Sequence, residues 1–242
     1  MTTYDGMMDG QVSDVKQRLW AFATMRAMVI FLAAFLLLFS FHYGAAYFSS
    51  QQAQEKVDTW FAEGNIPLHT DVVEPLAALQ QADDILLSDA RTKLSLAKLY
   101  ILLAQTHNSG AYLQTAHNLV RTVKALQPTH FEADTLMVVL AQRQPALSQH
   151  FEYYLHRALK SGGLEQTSQL ILGPVVVESW KQLPQELQQL AGPMIKSMLS
   201  EADVREVLFN AMHKAKLYRP FAKFSPNRKT STLLKKLQKE RG

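Results

Sequence analysis

The sequence predicts an all-α chain in which a single membrane-spanning helix near the start is followed by an array of helical hairpins. Three observations carry this. Residues 27–48 form the one stretch too apolar for water. Beyond it, apolar residues recur at spacings of three and four in segment after segment, and Gly, Pro, Asn and Ser clusters separate the segments. The only β-branched run, Val175-Val176-Val177, is too short and isolated to argue a sheet.

Between positions 27 and 41 only Ser40 is not apolar, and ten residues are Leu, Ile, Val or Phe. Each of those ten contributes roughly −0.3 to −0.6 kcal/mol to insertion, enough together to offset His42 near the far edge. At about 1.5 Å per residue, residues 27–48 cover roughly 30 Å, the thickness of a hydrocarbon core. Tyr43, Tyr47 and Phe48 suit an interfacial belt. Lys16, Arg18 and Arg26 precede the span and only Lys56 follows closely, which predicts a cytoplasmic N-terminus and, in a Gram-negative cell, a periplasmic remainder anchored once in the inner membrane. A cleaved signal peptide, with Gly44 and Ala46 before the cut, is the rival reading. Residues 1–15 carry Gly6, Gly10 and three Asp without apolar periodicity and are expected to be disordered. The predicted organisation is a cytoplasmic tail over 1–26, the span over 27–48, a periplasmic helical domain over 49–217 and a basic tail over 218–242.

The domain is long enough for a sizeable core, and 48% hydrophobic content with ten Gly and nine Pro indicates a packed chain. Cysteine is absent, which excludes disulfides, thiolate metal sites and cysteine nucleophiles. The net charge of +4 is unevenly spread. Residues 49–212 hold 12 basic and 17 acidic side chains, whereas 213–242 hold ten cations and one acid, Glu240.

Residues 49–62 contain no helix breaker, so the span is expected to continue as a stalk that Gly64-Asn65-Ile66-Pro67 stops, with Trp60 and Phe61 docking it. Thr70 and Asp71 offer caps for a helix to about Leu87, with Val72, Val73, Leu76, Leu79, Ala82, Ile85 and Leu86 inward. Ser88 or Asp89 caps the next, which carries Leu94, Ala97, Tyr100, Ile101 and Ala104 until Asn108-Ser109-Gly110 breaks it. A third helix over 111–126 buries Leu113, Ala116, Leu119, Val120, Val123 and Leu126 and ends at Gln127-Pro128. A fourth follows over 131–142, and a fifth over 146–160 with Gly162-Gly163 after it. Gly173-Pro174 is expected to interrupt the chain, Pro184 and Gly192-Pro193 to punctuate further helices, and Ser200 with Asp203 to open a last one to Leu217. Thr230-Ser231 offers caps for a short basic helix over 232–240 with Leu233, Leu234 and Leu237 on one side.

In the third helix Ala116, Val120, Val123 and Pro128 stand at relative offsets 0, 4, 7 and 12, and Leu96-Ala97-Lys98-Leu99-Tyr100 lies upstream. This resembles the tetratricopeptide repeat, a helix pair whose small and large apolar residues interlock at such offsets. Leu155 and Ala158 repeat the pattern, so roughly residues 72–163 look like two to two and a half divergent repeats. An irregular bundle of similar periodicity is the alternative. The layout of anchor, Trp60-Phe61-Ala62-Glu63-Gly64-Asn65-Ile66-Pro67 and Ala77-Ala78-Leu79-Gln80-Gln81-Ala82 leading to Leu96-Ala97-Lys98-Leu99-Tyr100 is similar to the VpsP family of accessory proteins of exopolysaccharide biosynthesis. Leu87-Ser88-Asp89 departs from that pattern in lacking a proline. The resemblance implies a non-catalytic partner of a membrane polysaccharide-assembly machine.

Motifs for chemistry are few. The histidines His69, His107, His117, His130, His150, His156 and His213 show no metal-ligand spacing, and adjacent Asp83 and Asp84 do not converge on a helix. There is no phosphate loop, nucleophile elbow or dinucleotide fingerprint. Met194 and Met198 read as core. No catalytic residue, cofactor or metal is therefore assigned, and the chain reads as an interaction scaffold, not an enzyme. The feature with physical pull is the tail: Lys214, Lys216, Arg219, Lys223, Arg228, Lys229, Lys235, Lys236, Lys239 and Arg241 attract anions, be they lipid headgroups, acidic polysaccharide or an acidic protein face. Nucleic acid is not expected outside the cytoplasm. The other function class left open is a tetratricopeptide-type assembly factor for secretion, pilus or cytochrome maturation, and beyond it an enzyme without a recognisable motif.

Overall fold

The computed structural model describes residues 5–64, 67–107 and 109–241. Among them the chain is all-helical, with no strand. It divides into two compact units, Met1–Phe48 and Ser49–Gly242.

The first unit is the larger part of helix α1 (Asp5–Glu63). Backbone that the sequence reads as disordered is helical from Asp5. Gly6 and Gly10 each weaken a helix by about 1 kcal/mol, yet once the downstream turns exist each further residue gains a hydrogen bond without a new nucleation step. α1 is the one described helix long and apolar enough to cross a membrane, and none of its apolar window is buried. Phe35, Phe39 and Tyr43 stack along it at i, i+4, with centroids 6.3 and 4.3 Å apart. An apolar surface this extensive and bare suits lipid better than water.

In the second unit the last turns of α1 are part of the core. Ser50, Ala53, Gln54 and Val57, at i, i+3, i+4 and i+7, are buried, and Trp60 and Phe61 pack beyond them. The segment expected as a stalk is thus a packed element. Gly64, at φ +66°, ends the helix in the left-handed conformation that a glycine allows.

The next helices are α2 (His69–Ile85), α3 (Ala90–His107), α4 (Gly110–Leu126) and α5 (Phe131–Arg143), and each packs on the next. α2 begins before the expected caps: Leu68 is its N-cap, and Thr70 and Asp71 lie in its first turn. For α3 the cap is as read, since the Asp89 carboxylate accepts from the Thr92 amide at 3.0 Å and hydroxyl at 2.5 Å. In α4 Ala116, Val120 and Val123 are buried, but Leu126 is exposed. α5 is buried over the whole run 133–141 because α3, α4, α7 and α8 surround it.

The predicted helix over 146–160 is two: α6 (Pro145–Ser148) and α7 (Phe151–Gly162). The amides of Leu147 and His150 bond three residues back, to Gln144 and Leu147, and this tighter winding ends α6. The larger correction is α8 (Gln166–Ser179), which contains Gly173 and Pro174 where an interruption was expected. An interior proline costs about 3 kcal/mol, but Leu172, Val175, Val176 and Val177 are all buried, and Gly173 lets α8 approach Met198 where a Cβ would lie 2.6 Å from Cε. Tertiary packing overrides the local breaker, and it draws the β-branched run into a helix.

α9 (Gln185–Leu190), α10 (Gly192–Ser200) and α11 (Ala202–Ala215) follow, with Pro184 at the N-cap of α9 and Pro193 in the first turn of α10. α11 packs on α8, and Met194 and Met198 lie in the core. The chain then forms a 3-10 helix (Arg219–Phe224) and α12 (Arg228–Arg241), which pack on each other.

Candidate anion-binding face

The C-terminal segment is built on a turn. α11 ends at Lys216, whose φ of 51° is the one left-handed non-glycine conformation among the described residues. The reversal sends Tyr218, Phe221 and Ala222 into the core, where the Phe221 ring lies 4.7 Å from Trp180, edge to face. Leu234 of α12 joins the same cluster, fully buried, with Leu237 packed beside it. The predicted basic tail over 218–242 is thus helical over Arg219–Phe224 and Arg228–Arg241 and contributes Phe221, Ala222 and Leu234 to the core. Few apolar residues stand among many cations, but they are spaced to fill one cleft.

Gln238 closes the arrangement. Its amide oxygen accepts from the backbone N–H of Tyr218 at 2.9 Å and of Arg219 at 3.1 Å, and its nitrogen donates to the Lys216 carbonyl at 3.3 Å. It ties α12 to the turn. The cap of α12 is Asn227, whose side-chain oxygen accepts from the Thr230 amide at 2.9 Å, so Thr230 and Ser231 fall inside the helix.

Docking α12 by Leu234 fixes where its cations point. At about 100° per residue, Arg228, Lys235 and Lys239 fall along one line with Lys229 and Lys236 beside it, an arc of roughly 120° opposite Leu234. All five are exposed. Lys214, Lys216, Arg219 and Lys223 are exposed as well, nearer the turn. Lys214 stands 3.4 Å from Glu178, Lys236 pairs with Glu240 at 3.7 Å, and Lys223 lies over the Phe224 ring at 4.7 Å. The Arg241 side chain lies outside the described residues. Nine of the ten predicted cations are thus exposed on the folded C-terminal segment, five of them along one side of α12.

The buried charges have another task. Lys98 of α3, its side chain 4% exposed, pairs with Asp58 of α1 at 2.7 Å and with Glu132 of α5. Burial pulls its pKa down, but Glu132 and Asp58 together outweigh that and hold it above the ordinary lysine value. Lys93 pairs with Asp83 at 2.5 Å, and buried Asp134 holds Lys124 at 2.9 Å and Arg157 at 3.4 Å. These pairs link helix to helix. His117 is lowered by burial and by Arg121, and Arg143 is lowered by burial against the pull of Glu178. Among the described residues no group of three or more His, Asp and Glu is placed to hold a metal.

Sequence reading missed Gln238 and the Lys98 triad. Gln238 carried no signal beyond its place on a basic helix, and the triad joins residues some 40 positions apart. Compared with family models, curated proteins and solved structures, the chain has no match.

Proposed function

We propose that this chain is a single-pass inner-membrane protein with a cytoplasmic N-terminus, whose periplasmic helical domain is an interaction scaffold in exopolysaccharide assembly or export. The observation that carries the reading is the basic face of α12, exposed on one side and anchored by Leu234 and Gln238 on the other. A scaffold that meets an anionic partner, whether lipid headgroup, acidic polysaccharide or acidic protein, gains from cations held at fixed spacing, because less side-chain and backbone freedom is lost on contact. The buried ion pairs support a scaffold over an enzyme, since they are spent joining α1, α3 and α5. Polysaccharide assembly rests on the resemblance of the anchor and the first helices to the VpsP family.

A tetratricopeptide-type factor for another envelope system is the second reading. It is favoured by the burial of Ala116, Val120 and Val123 at the pattern positions and by the packing of each helix from α2 to α5 on the next.

The test uses full-length protein in zwitterionic nanodiscs, titrated with phosphatidylglycerol vesicles and with alginate over a range of salt. Each cation near an anionic surface contributes up to about 1 kcal/mol, so Arg228→Glu, Lys235→Glu and Lys239→Glu together are expected to weaken binding by more than about tenfold and to flatten its salt dependence. Cells carrying that variant at normal abundance are expected to export less polysaccharide. Unchanged binding and unchanged export would contradict the proposal. Deleting the segment is the wrong experiment, since it would also remove Tyr218, Phe221 and Leu234 from the core.

A further inference from the structure

A groove of about 580 Å³ opens between the end of α5, the start of α7 and the end of α8, with no residue of α12 in its lining. Its floor is apolar: Ala141, half-buried Phe151 and buried Leu183. Its walls carry the exposed amides Gln142, Gln149 and Gln182, with the carboxylates Glu152 and Glu178. No cation is among the lining residues. Glu178 is already compensated, with one oxygen 3.4 Å from Lys214 and the other accepting from Gln142 at 3.3 Å.

This chemistry discriminates among ligands. An anion meets the Glu152 carboxylate and, at Glu178, a carboxylate that Lys214 offsets only from the rim. A largely apolar ligand would cover three amides without giving them partners, which costs about 1–3 kcal/mol for each group left unpaired. A polycation finds only Glu152 to pair with, because Lys214 already stands beside Glu178. A ligand dense in neutral hydroxyls fits: each amide offers two donors and an acceptor, the carboxylates accept further, and the C–H faces of sugar rings rest on Phe151 and Leu183. The volume lies within the range that holds a ligand of a few rings.

We propose that the groove between α5, α7 and α8 binds a short stretch of uncharged oligosaccharide, with Gln142, Gln149, Gln182 and Glu152 hydrogen-bonding its hydroxyls over a floor of Ala141, Phe151 and Leu183. The inference goes beyond the basic face: the groove is made by other helices and takes a neutral ligand where the basic face takes an anionic one.

The experiment is saturation-transfer NMR on full-length protein in zwitterionic nanodiscs, with linear tetramers of glucose, mannose and N-acetylglucosamine, and with tetragalacturonate and tetralysine as charged counterparts. At least one neutral tetramer is expected to bind with a Kd of about 1 mM or tighter, with tetragalacturonate giving no saturation. Gln142→Ala with Gln182→Ala is expected to weaken that binding at least about tenfold. If the pair lowers the melting temperature, the single Gln182→Glu, similar in size and exposed, reads the same loss. The proposal is overturned if no neutral tetramer binds, if binding ignores these variants, or if only a charged tetramer binds, tetralysine pointing to a basic protein segment as the occupant.

Discussion

Lys98 shows how one residue can fasten three segments. It reaches Asp58 on α1 and Glu132 on α5 from a buried position, so removing it takes the shared cation from a mostly buried Glu132 and a part-exposed Asp58. Lys98→Met is expected to cost about 3 kcal/mol, and adding Asp58→Asn with Glu132→Gln to recover most of it. The pH dependence has a definite sign. A lysine held above its ordinary 10.5 in the folded state stabilises fully below that value, and the contribution is lost as pH rises through the folded pKa. Wild-type protein is therefore expected to lose stability in strong alkali by an increment that Lys98→Met lacks. Denaturant unfolding of the full chain at neutral and alkaline pH reads both effects, and a Lys98→Met protein as stable as wild type would remove the triad from the account.

At the scale of elements, the cap of α3 was legible from local chemistry, the Asn227 cap of α12 was not, and boundaries set by packing were not. Asp89 caps α3 because its carboxylate accepts from the Thr92 amide three residues on, a contact that a sequence window contains. Gly173-Pro174 reads as a break in any window, and the burial of Leu172, Val175, Val176 and Val177 against distant parts of the chain is what keeps α8 continuous. The C-terminal face divides likewise. Its cations could be counted in advance, but their placement depends on Tyr218, Phe221 and Leu234 finding a cleft beside Trp180, and on Gln238 bonding a turn some 20 residues earlier. The apolar face of α4 was legible from its period, and it yields a sharp test. Ala116 is fully buried in a cluster with Val120, Leu136 and Leu140. Ala116→Leu is expected to overpack that contact and cost about 1–3 kcal/mol, seen as a lower melting temperature. An unchanged melting temperature would mean the helices are not as closely apposed there as drawn.

For the whole molecule, the sequence separates three chemistries along one chain: an apolar helix, a mildly acidic helical body and a basic end. The apolar stretch and the helical class were legible because each depends on a period or a run within a single segment. Direction across the bilayer rests on Lys16, Arg18 and Arg26 before the span against Lys56 after it. The scaffold reading depends on that direction, since a domain facing the cytoplasm would meet nucleic acid and a different set of anions. The most direct measurement is a compartment-sensitive reporter fused after Gly242, read together with carbonate extraction of the full-length protein. A periplasmic domain on an uncleaved anchor gives activity only outside the cytoplasm and a protein that stays in the membrane after carbonate. Cytoplasmic activity, or release of a fragment beginning near Tyr47, would contradict it.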